Sequence, residues 1–539
     1  MKVRSDVMKI MKNMHTWVGI SAGILLFICF FAGGLSMFQH HLTRWATPHQ
    51  QILTQIEPHQ YQDLITKVQA EFPVTQKSFT LNLSSNEFHY APISWNETNR
   101  AEGFNASQTA WIASLDQHGQ LIAKKENLSK AGWLIEQLHE TAGIPGLIGH
   151  HGVGVYVMGI VSILYFLALL SGLIILLPTL VKDYFVIRPG KNKKRFWLDT
   201  HNVVGITSLP FHILISVTVI VFAFHDLFYD SIGHLALKGQ PVFNPPAREV
   251  IQPTRQNINL EEILYKVKQV APEYDVKYIQ FNNLNNPQKA TARIALYSPN
   301  QLLRGANNDF MSMNPYAVDH FNSSGINTQT NAGNKLINAM FSLHFGSYGG
   351  DTVRWIYFIL GIGGAFLFYS GNILWVETRA RKQKRPQDPI PVQRKDVVFL
   401  ANLTIGTCLG CILAIMGTLL ASRWLYSIIQ IESINHLFMY SYYTIFIAII
   451  LLTFYLGYAK ALPKLLLSIS LILFLIPLSS LCAYVLPQTG LWFHSGEILI
   501  IDVLAVIFGI AFLRFYQQAK DRTRIAPQGS LWAISQSLK

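Results

Sequence analysis

Among the histidines of this 539-residue chain, His15, His139, His201, His212 and His344 lie inside or beside runs of apolar residues. Ionisable groups are costly in a membrane span and usually face a site or a partner. His201 and His212 are eleven residues apart. On one continuous helix that puts them about 20° apart around the axis and about 16 Å apart along it. Alone, the stretch suits equally well an interfacial His201 and a His212 hydrogen-bonded to a neighbouring helix. An internal repeat shifts the balance. The string HNVVGI from His201 repeats HTWVGI from His15, and Leu343–His344 repeats Leu138–His139, each pair followed by glycines and another apolar run. Two parallel copies imply a pseudo-two-fold axis along the membrane normal. It should bring His15 to His201 near the cytoplasmic face and His139 to His344 near the outer face. Imidazole pairs at both ends of a four-helix bundle point to two metal centres.

The elements that must position them are membrane helices. Half of the residues are hydrophobic and only 14% are charged, which excludes an ordinary soluble enzyme. Apolar runs of spanning length lie near 16–38, 153–180, 203–225, 353–376, 397–420, 438–458, 464–486 and 496–515. The net charge of +13 is gathered at residues 1–12, 182–195, 379–395, 460–464 and 514–524. Alternating spans place every such cluster on one side, so the charge is a positive-inside signal with both termini cytoplasmic. Nucleic acid is not an expected partner; membrane lipid is. The first span lacks a small-x-small cleavage site and is expected to be retained.

Two polar segments interrupt the spans on the outer side. In each, apolar residues at helical spacing run to a proline and then alternate as in a strand, from Tyr61 and from Leu260. The expected fold is therefore an all-α polytopic membrane protein of about eight helices, with an N-terminal four-helix haem-binding bundle and two small α+β domains outside. The boundaries read 8–39 for the first span, 40–138 for the first outer domain, 139–181 for the second span and 182–200 for a cytoplasmic loop. Then come 201–225 for the third span, 226–343 for the second outer domain, 344–378 for the fourth span and 379–396 for a basic loop. A four-span module (397–515) and a cytoplasmic tail (516–539) complete the chain.

Facing imidazoles on neighbouring helices suit b-type haem, which needs an axial ligand on each side and small residues where the macrocycle meets backbone. Gly19, Gly23, Gly205, Gly361, Gly363 and Gly364 are candidates for that role, or for close helix packing. Arg188, Arg195 and Arg354 are placed to meet propionates, although the first two read more simply as topology signals. Zinc or copper would want three or four clustered ligands. The nearest approach is His150–His151, which has no Cys, Asp or Glu within a turn. No CxxCH for covalent haem and no GxGxxG for a nucleotide domain occurs. An electron donor must come from elsewhere. Cys408 and Cys411 share a face of the fifth span and read as small-residue packing. His40, on His15's helical face 25 residues on, is a reserve outer ligand.

The pieces MHTWVGISAG at span one, FVIRPGK and WLDTHNVVGITSLPFH into span three, and LHFGSYGG ahead of span four resemble the PepSY-associated transmembrane family of bacterial inner-membrane proteins. The resemblance covers about residues 8–380 and leaves the last four spans without a role. It implies that the outer segments are PepSY-type domains and that the recurrent histidines fall on His15, His139, His201 and His344, with His212 in the LPFH subgroup. Val155 departs from the pattern, standing where the family often has arginine. Some members are similar to dihaem ferric-siderophore reductases.

The expectation is a multi-pass inner-membrane protein with two haems b. His15 and His201 would hold the inner haem, and His139 and His344 the outer one. His212 is left as a ligand of the second haem or as lining of the path between them. Electrons from a quinol or a cytosolic flavoprotein would pass to a ferric siderophore or another ferric chelate. The rival is a non-enzymatic PepSY-domain anchor that binds or regulates a partner outside and carries no chromophore.

Overall fold

The computed structural model describes residues 3–48, 53–83, 91–97, 110–126, 129–148, 151–180, 186–188, 193–236, 251–305, 308–326, 328, 332–383, 385, 387–429 and 434–534. His49, His89, His150 and much of the 182–200 loop lie outside the described residues. The chain divides into two units. One comprises Met1–Pro48, Ser129–Phe224 and Tyr357–Lys539; the other His49–Leu128 and His225–Ile356.

The first unit is built from helices. They are α1 (Ser5–Ser36), α2 (Gln39–Trp45), an α-helix beyond the first polar segment (Ala131–Thr141, α4 in chain order after α3, Tyr61–Glu71) and α5 (Val153–Leu176). Next come α6 (Lys193–Thr207) and α7 (Leu209–Ala236). After α8 (Leu260–Val270) and α9 (Ala332–Phe345) of the other unit follow α10 (Gly350–Arg379), α11 (Lys395–Ile429), α12 (Asn435–Leu456), α13 (Tyr458–Val485) and α14 (Leu499–Arg524). Among the described residues eight helices are long and apolar enough to cross a membrane: α1, α5, α7 and α10 to α14. The protein is a multi-pass membrane protein.

Three local features differ from the expectation. Span three is interrupted at Ser208, between α6 and α7, because Pro210 has no N–H to give to the preceding turn. His201 and His212 thus sit on separate helices. The first span ends at Ser36, so His40 lies on α2 and the face it was expected to share with His15 is broken. Each Leu-His pair closes a short helix, α4 or α9, rather than opening a span. Both helices stop in the left-handed region that disfavours continuation, at Ala142 and Gly143 (φ 51° and 78°) and at Gly346 (φ 65°).

Among the last four spans α11, most of which is buried, packs against α12 and α13, and α14 packs on α13. Near its end Arg423, 1% exposed, donates to Ser480 and to the Trp492 carbonyl, with its guanidinium 4.4 Å from the Trp45 ring. Ser480 and the Trp45 indole both donate to Asp502, at 3.1 Å each. This buried network ties the module to α2, and removing one charge would strand the other. Cys408 and Cys411 are fully buried free thiols within that packing.

In the second unit the two polar segments share one sheet and one core. The strands are β1 (Phe79–Asn82), β2 (Ile93–Asn96), β3 (Ala110–Leu115) and β4 (Leu121–Glu126), then β7 (Asp275–Asn282), β8 (Thr291–Tyr297), β9 (Asp309–Asn314) and β10 (Ala317–Asn322). A small hairpin, β5 (Leu147–Ile148) and β6 (His151–Gly152), belongs to the first unit. The sheet order is β10-β9-β8-β7-β1-β2-β3-β4. Where two separate α+β domains were expected, β1 pairs with β7, which removes an open edge from each half. Leu64, Ile65 and Val68 of α3 and Leu260, Ile263 and Val267 of α8 enter the same core. Each such side chain contributes about 1.5–3 kcal/mol on burial. Asn259 caps α8 by accepting from the Glu262 N–H.

Register across the sheet makes the internal symmetry visible. The row Thr80, Ser94, Ile112 and Lys124 crosses the first half. It continues through the Thr80–Gln280 pair into Gln280, Arg293, Ser312 and Asn322 of the second.

Candidate functional site

The inner histidines sit on α1 (His15) and α6 (His201) of the membrane unit, and α5 and α10 supply the groups that hold them. The rings of His15 and His201 are 6.5 Å apart between centroids and nearly perpendicular, at 81°. His15 Nδ1 lies 2.9 Å from the Ala168 carbonyl on α5. A carbonyl only accepts, so Nδ1 carries the proton and Nε2 keeps its lone pair. His201 Nδ1 lies 3.0 Å from the Ser370 hydroxyl, which itself donates to the Leu367 carbonyl at 3.1 Å. That hydroxyl therefore accepts from Nδ1, and Nε2 is again free. Such a partner on the second nitrogen is what orients a metal-ligating imidazole.

A glycine backs each ring. A Cβ on Gly172 would come 3.0 Å from His15 Cε1, and one on Gly371 would come 3.5 Å from His201 Cε1. The sequence reading missed both positions. Their signal is a Ser-Gly pair repeated at Ser171–Gly172, one turn beyond the Ala168 that holds His15, and at Ser370–Gly371, where Ser370 itself holds His201.

His139, on α4, packs against α1. Its Nδ1 donates to the Cys29 carbonyl at 2.9 Å, and a Cβ on Gly33 would lie 2.6 Å from that nitrogen. The Cys29 thiol donates in return to the His139 carbonyl at 2.7 Å. His15 and Gly33 are eighteen residues apart on α1, about 27 Å of rise and close to the hydrocarbon thickness. His344 belongs to the other unit, half-buried at the end of α9, with the Phe345 ring 5.7 Å away.

His212 is fully buried, and among the described residues neither ring nitrogen has a hydrogen-bond partner. Its ring lies 5.4 Å from Phe30, 5.4 Å from Phe211 and 5.9 Å from Tyr165, and a Cβ on Gly364 would come 3.1 Å from it. Gly364 and Gly371 are two turns apart on α10, about 10 Å of rise. On α1, Phe30 is one turn from the Gly33 that backs His139.

The remaining candidates divide. Gly361 meets the α1 backbone at Gly34, 2.8 Å from a Cβ position, so it serves helix packing. Gly19 has nothing within 4 Å of its Cβ position and Gly205 only a Leu367 methyl at 3.8 Å. These two glycines, each four residues after an inner histidine, leave room beside the pair. Arg188 and Arg195 share one carboxylate, Asp199, at 2.9 and 3.1 Å, and Arg354 is engaged by Asp351 at 2.9 Å, so each guanidinium already has an ion-pair partner. Asn372 Nδ2 and Trp375 Nε1, just beyond Gly371 on α10, are buried donors with no acceptor among the described residues. Bis-imidazole ligation with bonds of about 2 Å sets ring centroids roughly 6–6.5 Å apart. The His15–His201 spacing, the free Nε2 atoms, the open glycines and the orphaned donors all fit haem. Among the described residues no three His, Cys, Asp or Glu side chains converge as a metal cage.

Fold and histidines together define a multi-pass membrane protein with a histidine-bearing helical bundle and an eight-stranded sheet. The family model for the PepSY-associated TM region matches residues 13–378, and the chain belongs to that family. The match stops at the end of α10, leaving the last four spans outside it. Comparison with curated proteins finds no match.

Proposed function

We propose that this protein is a b-type haem protein of a bacterial inner membrane that passes electrons across the bilayer to an acceptor outside. The observation that carries the reading is the perpendicular His15–His201 pair, with both Nδ1 atoms anchored and both Nε2 atoms left to ligate. His15 and His201 are assigned to an inner haem. His139 and His344 are assigned to an outer one. His212, buried without a partner, is a ligand of that second haem or part of the path to it. A bound haem supplies one-electron transfer at a potential set by its axial ligands and its burial.

The protein's own contribution is positional. Ala168 and Ser370 hold the inner imidazoles in one tautomer, and the aromatic cluster around Phe30 keeps the interior dry. The acceptor assigned is a ferric siderophore or similar ferric chelate, and the donor a quinol or a cytosolic flavoprotein. One electron converts Fe(III) to Fe(II), which binds hard oxygen donors far less tightly, so reduction acts as release.

A pyridine haemochromogen assay on purified protein should give about two haems b per chain. Anaerobically reduced protein should then be reoxidised by ferric siderophore, with Fe(II) trapped by ferrozine. His344→Ala should abolish that step while leaving the inner haem bound and reducible. A colourless wild-type protein would sink the proposal. Full reductase activity in the variant would remove His344 from the path.

A further inference from the structure

The row of residues shared by the two sheet halves has different fates at its two ends. In the first half Ile112 is 3% exposed and packed under Leu53 and Ala91. Its symmetry partner in the second half is Ser312, and the partner of Ser94 is Arg293. There the face holds an open pocket of about 370 Å³. Arg293, Arg304, Phe310, Ser312, Asn322 and Ser324 line it. Behind it the turn after β10 lies against β9 so closely that a Cβ on Gly325 would be 2.4 Å from the Phe310 carbonyl oxygen.

Both guanidiniums are exposed, and among the described residues neither has a carboxylate partner. The Arg293 guanidinium lies over the Phe310 ring, 3.7 Å from its centroid, and that of Arg304 sits 5.5 Å from the centroid of Phe341. Stacking fixes the plane of a guanidinium and leaves its N–H edges free for a planar anion. The nearest acid on the lining strands, Asp309, is fully buried on the other face of β9 and takes the Tyr274 hydroxyl and the Arg304 backbone N–H. Asp319 on β10 is paired with Lys266. Two uncompensated forks beside a hydroxyl and an amide on neighbouring strands match carboxylate geometry better than that of a neutral ligand.

The geometry points to a binding site for a small anion bearing two or more carboxylates, held between Arg293 and Arg304. It requires no haem and stands independently of the electron-transfer reading. The test is calorimetry on full-length protein in nanodiscs with citrate, tricarballylate and inorganic phosphate at low salt. Saturable binding of the two carboxylates is expected, weakened about tenfold or more by Arg293→Gln or Arg304→Gln. Ser312→Ile, which copies Ile112 of the first half, should fill the pocket and abolish binding with an unchanged circular dichroism spectrum. His15→Ala should bind citrate like the wild type, which separates this site from the bundle. No saturable binding at millimolar citrate, or unchanged affinity in both arginine variants, would overturn the proposal. Phosphate binding as tightly as citrate would overturn the carboxylate assignment.

Discussion

In the first copy of the repeat His15 gives its Nδ1 proton to a backbone carbonyl, Ala168; in the second His201 gives it to a side chain, the Ser370 hydroxyl. Gly172 presses on His15 more closely than Gly371 does on His201. Eleven residues beyond each histidine the copies part further, with buried Leu26 in the first and buried His212 in the second. The scaffold that orients an inner imidazole was kept in both copies, by different atoms. The second copy added chemistry: an imidazole in the bundle and an arginine-lined pocket on the sheet.

The largest effect expected tests whether the two copies build one centre. His15→Ala and His201→Ala should each lose the same haem, because one imidazole rarely retains b-type haem alone. Haemochromogen ratios and Soret spectra of the two variants should coincide. Two variants that both kept the wild-type haem content would break the pairing.

His212→Leu restores the first copy's residue at the point of divergence. A buried imidazole with two unmet nitrogens costs about 1–3 kcal/mol per group, a cost expected to be offset by a ligand. The variant should lose one haem or shift its Soret band. A higher Tm with unchanged haem would show instead that His212 only fills space.

Much of this was legible in the sequence. The eight apolar runs, the paired HxxxG strings and the Leu-His pairs are local patterns, and the spans and the His15–His201 meeting follow from them. The shared sheet was not legible, because pairing between β1 and β7 joins residues about 200 positions apart and leaves no periodicity in either strand. The helix break at Ser208 had a visible cause in Pro210. Gly33 and Gly172, the glycines pressed hardest against imidazoles, are not among those the sequence marks for haem contact; only the fold tells which neighbour a glycine makes room for.

The glycines give a graded comparison. Gly33→Ala would drive a methyl to 2.6 Å from His139 Nδ1, and Gly172→Ala to 3.0 Å from His15 Cε1, so a ring or helix must move in each. Overpacking of this kind costs about 1–3 kcal/mol. Gly172→Ala should broaden or shift the inner haem's electron paramagnetic resonance signal. Gly371→Ala, at an ordinary 3.5 Å contact, should leave it nearly unchanged. Equal perturbation by Gly172→Ala and Gly371→Ala would mean that neither contact seats its ring.

The smallest effect separates the two anchors. Ser370→Ala removes the hydroxyl that accepts from His201 Nδ1, whereas Ser171→Ala leaves the Ala168 carbonyl in place for His15. A neutral hydrogen bond contributes about 0.5–1.5 kcal/mol, and losing an orienting partner costs about 10–100-fold in metal affinity. Ser370→Ala should therefore release the inner haem faster to apomyoglobin and raise its midpoint potential, since an imidazole whose Nδ1–H lacks an acceptor is a poorer electron donor to iron. Ser171→Ala should match the wild type in both measurements. The Ser171 hydroxyl already donates to the same Ala168 carbonyl, at 2.9 Å, so its removal frees a lone pair and takes nothing from His15. If the two serine variants behave alike, the copies hold their histidines by the same means after all, and the tautomer assigned to His201 loses its support.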